Sequence, residues 1–65
     1  MTYRLEITFP DYEVLTELDF DTLEQAYQHV ERFAAKRRCY VEWYTQYHAI
    51  IFRDGYHRRV NISCN

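Results

Sequence analysis

The sequence is poor in the residues that interrupt or cross-link a chain. Glycine and proline occur once each among 65 residues, and cysteine occurs twice, as Cys39 and Cys64. Flexible linkers and low-complexity tails are rich in glycine and proline, so their scarcity predicts a single folded domain over residues 1–65. Two distant cysteines are too few for a disulfide scaffold and are typical of reduced thiols in an intracellular protein.

Long apolar segments are also absent. The longest uninterrupted apolar run is the four residues 49–52, whereas about 20 are needed to span a bilayer. The first residues carry no apolar stretch of the kind found in secretory leaders. These features predict an intracellular, cytoplasmic protein that does not enter a membrane.

Aromatic residues are abundant, with seven Tyr, four Phe and one Trp. A chain of this size buries too little surface for a large core. Each aromatic side chain can bury roughly 150–250 Å², which compensates for the short chain.

The charges are divided along the sequence. Residues 1–31 hold eight acids and one base, a net charge of −7, whereas residues 32–65 hold seven bases and two acids, a net charge of +5. An ordinary solvated surface can produce this division. A surface of one sign that steers a charged partner is the more specific interpretation.

The first part of the chain predicts a β-hairpin. Apolar and polar residues alternate over 3–9 and again over 12–20, which is the period of a strand with one buried face. A two-residue turn at 10–11 places both apolar sets on one side. The predicted facing pairs are Phe9 with Tyr12, Ile7 with Val14, and Arg4 with Glu17.

A helix follows the hairpin. Asp21 is a suitable N-cap, and Glu24 occupies the reciprocal position of a capping box. Basic residues at 36–38 suit the C-terminal end of the helix dipole. The predicted apolar side comprises Leu23, Ala26, Tyr27, Val30, Phe33, Ala34 and Arg37, and the other side comprises Gln25, Gln28, His29, Arg32 and Lys36.

The rest of the chain predicts a three-stranded meander over 39–44, 48–53 and 56–64, because Asp54-Gly55 is a strong hairpin signal. The fold class is therefore α+β. We expect a five-stranded antiparallel sheet, made of the hairpin and the meander, with one helix packed on one face.

The turns of the meander decide which residues face the helix. A two-residue loop between the first two strands would bury Glu42, at a cost of several kcal/mol, so a three-residue loop at 45–47 is favoured. The predicted helix-facing set is Cys39, Val41, Trp43, Ala49, Ile51, Val60 and Ile62. The predicted opposite set is Tyr40, Tyr44, His48, Ile50, Phe52, His57, Arg59 and Asn61.

The opposite set has two interpretations. Its aromatic and basic residues are typical of an interaction patch, but they also suit cross-strand pairs on an ordinary surface. A partner protein or a second copy of the chain, in an isologous homodimer, would cover the apolar members.

The sequence predicts a protein that is not an enzyme and that has no metal or cofactor. The spacings of its three histidines and two cysteines match no zinc pattern. Its single glycine lies in the hairpin turn, so no glycine-rich loop is left to hold a phosphate.

Nucleic-acid binding is a second hypothesis. Basic residues of the second half interleave with Tyr40, Tyr44 and Phe52, as in sheets that stack single-stranded bases. The pI of about 5.8 argues against it. The acidic first half permits the opposite idea, in which carboxylates imitate phosphates on a basic protein surface.

The layout resembles small phage-encoded anti-CRISPR proteins of type I systems. The resemblance lies in three segments, namely Asp21-Thr22-Leu23-Glu24-Gln25-Ala26, Lys36-Arg37-Arg38-Cys39, and Phe52-Arg53-Asp54-Gly55 with Arg59-Val60 beyond it. It implies an inhibitor that binds a Cas surveillance complex of the host and blocks target DNA binding. By this likeness, Lys36, Arg37 and Arg38 are contact residues. The interpretation of the opposite set as an interaction patch adds Tyr40, Tyr44, His48, Ile50, Phe52, His57 and Arg59 to the predicted partner-binding residues.

Overall fold

A computed structural model of the chain describes residues 2–8 and 14–64. The elements in these ranges are β1 (Tyr3–Thr8), β2 (Val14–Phe20), α1 (Leu23–Lys36), β3 (Tyr40–Trp43), β4 (His48–Arg53) and β5 (Tyr56–Cys64). The strands form one five-stranded antiparallel sheet in the order β2-β1-β5-β4-β3. The predicted α+β class is confirmed. No helix in these ranges is both long enough and apolar enough to cross a membrane.

Pairing of β1 with β5 joins the hairpin to the meander. Leu5 lies opposite Ile62 and Ile7 lies opposite Val60. These contacts connect the two ends of the sequence and place the longest strand, β5, at the centre of the sheet. The hairpin and the meander therefore contribute to one continuous hydrophobic core.

The helix covers one face of the sheet, which is called the covered face below. Side chains alternate between the two faces of a strand, so every second residue of β1, β4 and β5 faces α1. The buried residues on both sides of this interface are Leu5, Ile7, Ala26, Val30, Phe33, Ala34, Ala49, Ile51, Val60 and Ile62. Val41 and Trp43 are half-buried beside them. The predicted helix-facing residues therefore lie where the sequence placed them.

The predicted cap of the helix is wrong by one residue. Thr22 is the N-cap, and its hydroxyl accepts a hydrogen bond from the Gln25 backbone N–H at 3.2 Å. The Gln25 side-chain oxygen in turn accepts from the backbone N–H groups of Asp21 at 3.1 Å and Thr22 at 3.3 Å. Two capping patterns overlap in the sequence, and Thr22 with Gln25 satisfies the usual Ser/Thr and Glu/Gln form. Glu24 lies in the first turn, where it suits the helix dipole.

The predicted register of the first hairpin is wrong by two residues. Arg4 lies opposite Asp19 instead of Glu17, and Ile7 lies opposite Thr16 instead of Val14. An irregularity between Ile7 and Thr8 alters the pairing, as an added residue in one strand does. A two-residue shift keeps each side chain on its face, so the apolar pattern could not reveal it. The predicted turn at 10–11 and the Phe9–Tyr12 pair lie outside the described residues.

The predicted register of the meander is confirmed. Trp43 lies opposite Ala49 across the loop at 45–47, and Arg53 lies opposite Tyr56 across the Asp54-Gly55 turn. Gly55 has a positive φ of 74°, which glycine adopts without a steric penalty. Glu42 is exposed, as the choice of the longer loop required.

Adjacent isoleucines provide a test of the two faces. Ile51 is 0% exposed on the covered face, whereas Ile50 is half-buried on the other face. We expect Ile51→Ala to lower the free energy of unfolding by about 2–5 kcal/mol, because it leaves a cavity in the core. Ile50→Ala should lower it by only about 1 kcal/mol, since partial burial stabilises less. Urea denaturation at 25 °C measures both values, and equal losses would contradict the assignment of faces.

Candidate functional site

The side of the sheet away from α1 is called the open face. It brings together seven of the ten residues that the sequence singled out for partner binding. They are Tyr40, Tyr44, His48, Ile50, Phe52, His57 and Arg59. Within the described ranges, the only helix lies on the other face of the sheet.

Cross-strand pairing arranges these residues in rows. Tyr40 lies opposite Phe52, with ring centroids 5.7 Å apart, and Phe52 lies opposite His57. In the next row, Ile50 lies between Glu42 on β3 and Arg59 on β5. Tyr40 is 69% exposed, and Phe52 is half-buried. The rings therefore form an accessible aromatic surface with charged neighbours.

A shallow groove of about 500 Å³ crosses the same face. Its lining includes Tyr44, which is 60% exposed, and His48, whose carbonyl accepts a hydrogen bond from the Tyr44 backbone N–H at 2.9 Å. The other lining residues are Thr8, Ala49, Ile50, Arg59, Val60 and Asn61. The groove is open to solvent and contains both apolar and hydrogen-bonding groups, which suits a protruding side chain of a partner.

Acidic residues occupy the other end of the open face. Glu6 on β1 lies opposite Glu17 on β2, and Asp19 lies next to them. Arg4 lies among these acids, 2.9 Å from a Glu17 oxygen and 3.1 Å from an Asp19 oxygen. The hydrogen bond to Asp19, followed by the charges of Asp19 and Glu17, raises the pKa of Arg4. The acids of the first half of the sequence thus gather at β1 and β2, whereas Arg59 on β5 is the one Lys or Arg that the described strands β3, β4 and β5 place on this face.

Arg38 lies at one corner of this surface. It lines a depression with Tyr40, Phe52 and Arg53. Its φ of 54° is in the left-handed region, where glycine is the favoured residue. The Cys39 and Arg38 backbone N–H groups donate to the carbonyls of Ala34 at 2.9 Å and Ala35 at 3.1 Å. This is the hydrogen-bond pattern of a Schellman motif with arginine in the glycine position.

Lys36 and Arg37 are separated from the open face. Both line a groove between α1 and β2, on the covered side of the sheet. The Arg37 guanidinium lies 3.6 Å from the centre of the Phe33 ring and donates to the Phe33 carbonyl at 3.2 Å. The basic residues at 36–38 therefore lie on two different surfaces. Of the three, only Arg38 lies at the open face.

Sequence reasoning missed the residues that β1 brings to this face. Thr8 lies opposite Arg59, and Glu6 lies opposite Asn61. Their alternation within β1 predicts that they point away from the core. No local pattern in the sequence, however, indicates which strand of the meander pairs with β1. No sequence pattern indicated that Arg53 lies near Arg38, although Arg53 was predicted to lie directly before the Asp54-Gly55 turn.

The described residues contain no group of three or more His, Cys, Asp or Glu side chains that could hold a metal ion. His48 and His57 lie in different rows of the open face, opposite Asn61 and Phe52 respectively. The chemistry that this face provides is stacking, apolar contact, hydrogen bonding and charge pairing.

Comparison with known proteins found no matching family, no matching curated protein and no matching solved structure.

The backbone at Arg38 generates a prediction about stability. Arg38→Gly should raise the free energy of unfolding by up to about 1 kcal/mol, because glycine removes the steric cost of the left-handed conformation. Arg38→Ala keeps a Cβ atom and should leave stability within about 0.5 kcal/mol of the parent protein. Thermal or urea unfolding of the three proteins measures the difference. A glycine variant no more stable than the alanine variant would contradict a steric cost of the left-handed backbone at this position.

Proposed function

We propose that this chain is a non-enzymatic binding protein that docks on another protein through its open face. The main observation in support of this proposal is that Tyr40 and Phe52 lie in one row beside Ile50 and Arg59. Within residues 2–8 and 14–64, no helix covers this face. Tyrosine, phenylalanine and arginine are enriched at the centres of protein interfaces. Their large contact areas suit a partner that excludes water from this face.

The mixture of charges on the open face favours a protein partner over a nucleic acid. Glu6, Glu17 and Asp19 share the surface with the basic groups, and the whole chain has a net charge of −2. A nucleic acid bound along this face would contact Arg59, but these carboxylates would repel its phosphates at the other end. A protein surface with charges of both signs can complement both ends, which also fixes its orientation.

The specific partner that we propose is a type I Cas surveillance complex in a bacterial cytoplasm. The support is the resemblance of the layout to anti-CRISPR proteins, together with the position of the acidic residues. Glu6, Glu17 and Asp19 on one end of the face would pair with basic groups that otherwise bind DNA phosphates. Tyr40 and Phe52 would supply the apolar contact, and the bound protein would keep target DNA away.

Co-purification with a purified type I surveillance complex, followed by a target-DNA gel-shift assay, tests this proposal. The parent chain should comigrate with the complex and reduce the DNA shift. Ile50→Ser with Phe52→Ser should lose comigration and inhibition while keeping a cooperative thermal transition, because both residues lie outside the core. Arg38→Gly should weaken binding without loss of stability, which separates a binding defect from unfolding.

The control variant is Tyr47→Ser, which removes an exposed aromatic residue from the β3–β4 loop and should bind as the parent does. A sizing column run beside the melt shows whether the double variant changes a homodimer instead. Failure of the parent chain to comigrate with any type I complex would contradict the specific partner. Unfolding of the double variant would contradict the position of Ile50 and Phe52 outside the core.

A second candidate function is binding of single-stranded nucleic acid by the meander. The observation in its favour is the exposed ring of Tyr40, paired with Phe52 beside Arg38 and near Arg59 on an open sheet. Sheets of this kind stack bases on aromatic rings while basic side chains contact phosphates.

Titration with labelled single-stranded and double-stranded DNA and RNA tests this second function. Affinity should fall steeply as salt rises, because each phosphate contact releases a counterion, and Arg59→Gln should reduce the slope by about one contact. Affinity weaker than about 10⁻⁴ M at moderate salt would be no more than non-specific binding and would reject this function.

A further inference from the structure

A second surface lies on the other side of the molecule, between α1 and the outer strand β2. It is a groove of about 370 Å³, called the helix–edge groove below. Leu18 is 40% exposed there, and Phe33, at 8% exposure, is among the lining residues. The complete lining is Leu18, His29, Arg32, Phe33, Lys36 and Arg37. An apolar side chain is therefore exposed among three cationic residues and a histidine.

The cations of this groove have no acidic partner among the residues that the structure describes. Both ion pairs within residues 2–8 and 14–64 belong to Arg4, so Arg32 and Lys36 have none there. The two residues are four apart on α1, which places them on the same side of the helix, where like charges repel. Arg37 is held in place over Phe33. An anion between Arg32 and Lys36 would remove the repulsion.

His29 lies beside these cations in the groove. Its ring packs beside Phe20, with centroids 5.6 Å apart. Burial is the main cause that lowers the pKa of His29, and the charges of Arg32 and Lys36 lower it further. A neutral imidazole at this place can donate or accept one hydrogen bond while the two cations supply the charge.

We propose that the helix–edge groove binds an acidic segment of another protein, with a carboxylate between Arg32 and Lys36 and an apolar side chain against Leu18. This inference concerns different residues from those of the open face and does not depend on the function proposed for that face.

The lining of the groove favours an acidic peptide over a nucleic acid. Base recognition uses exposed aromatic rings, whereas Phe33 is nearly buried and the Arg37 guanidinium already lies against its ring. The accessible apolar group is aliphatic, at Leu18. A peptide that alternates acidic and apolar side chains satisfies the cations and covers Leu18 at the same time.

Titration of the full ¹⁵N-labelled chain with a short acetylated peptide of alternating glutamate and leucine tests the proposal. The matched probe is the same peptide with glutamine in place of glutamate. We expect the glutamate peptide alone to shift the amide signals of Leu18, His29, Arg32 and Lys36. Binding should also raise the pKa of His29, since a carboxylate offsets the neighbouring cations.

Substitution of Arg32 and Lys36 tests whether these cations are responsible for peptide binding. Arg32→Gln should weaken peptide binding about two- to fivefold, and Arg32→Gln with Lys36→Gln should weaken it by about tenfold or more, as exposed charge pairs do. The matched control is Gln46→Glu, which makes the same charge change as Arg32→Gln in the β3–β4 loop and should bind within about twofold of the parent. Circular dichroism confirms that each variant is folded.

Three results would overturn the proposal. The first is equal affinity for the glutamate and glutamine peptides, or no binding of either. The second is an unchanged affinity in the double variant. The third is displacement of the peptide by a short oligothymidylate that binds the same residues more tightly, which would make the groove a nucleic-acid site.

Discussion

Pairing between β1 and β5 is the interaction on which the rest of the structure depends. Without it, the two-stranded hairpin, which is at best marginally stable alone, would be detached from the meander and from the shared core. Leu5 and Ile7 meet Ile62 and Val60 across this pairing. The combined sheet is wide enough for α1 to bury its apolar side. Closing contacts between the two ends of the sequence costs loop entropy, and the burial of this shared core offsets it.

The same pairing produces the candidate site. A five-stranded sheet has two faces, and the single helix of the described ranges covers one of them. The alternation that buries Ile51 necessarily turns Ile50 and Phe52 outward. Attachment of β1 to β5 then places Glu6 beside Asn61 and Thr8 beside Arg59. The acids of β1 and β2 and Arg59 of β5 thereby lie on one surface, although they are far apart in the sequence.

The departures from the sequence-based predictions share a physical cause. A shift of two residues in the first hairpin keeps Leu5 and Ile7 on the same face, so hydrophobic alternation cannot detect it. The helix start is similarly ambiguous, because Asp21 and Thr22 are both good caps and only the backbone geometry selects Thr22. In the meander, by contrast, Asp54-Gly55 and the charge of Glu42 each exclude one register. The prediction there was correct because local chemistry penalised the alternative.

By itself, the sequence determined the order of elements, the apolar side of α1 and the two faces of the meander, because these follow from short-range periodicity and turn chemistry. Tertiary structure alone decided that β1 pairs with β5, since any strand with the same alternation satisfies the local rules equally well. It also separated Arg38 from Lys36 and Arg37, neighbours in sequence that lie on different surfaces. A left-handed residue at the helix end reverses the chain direction there. Charges that are adjacent in the sequence thus lie on different surfaces when a backbone turn separates them.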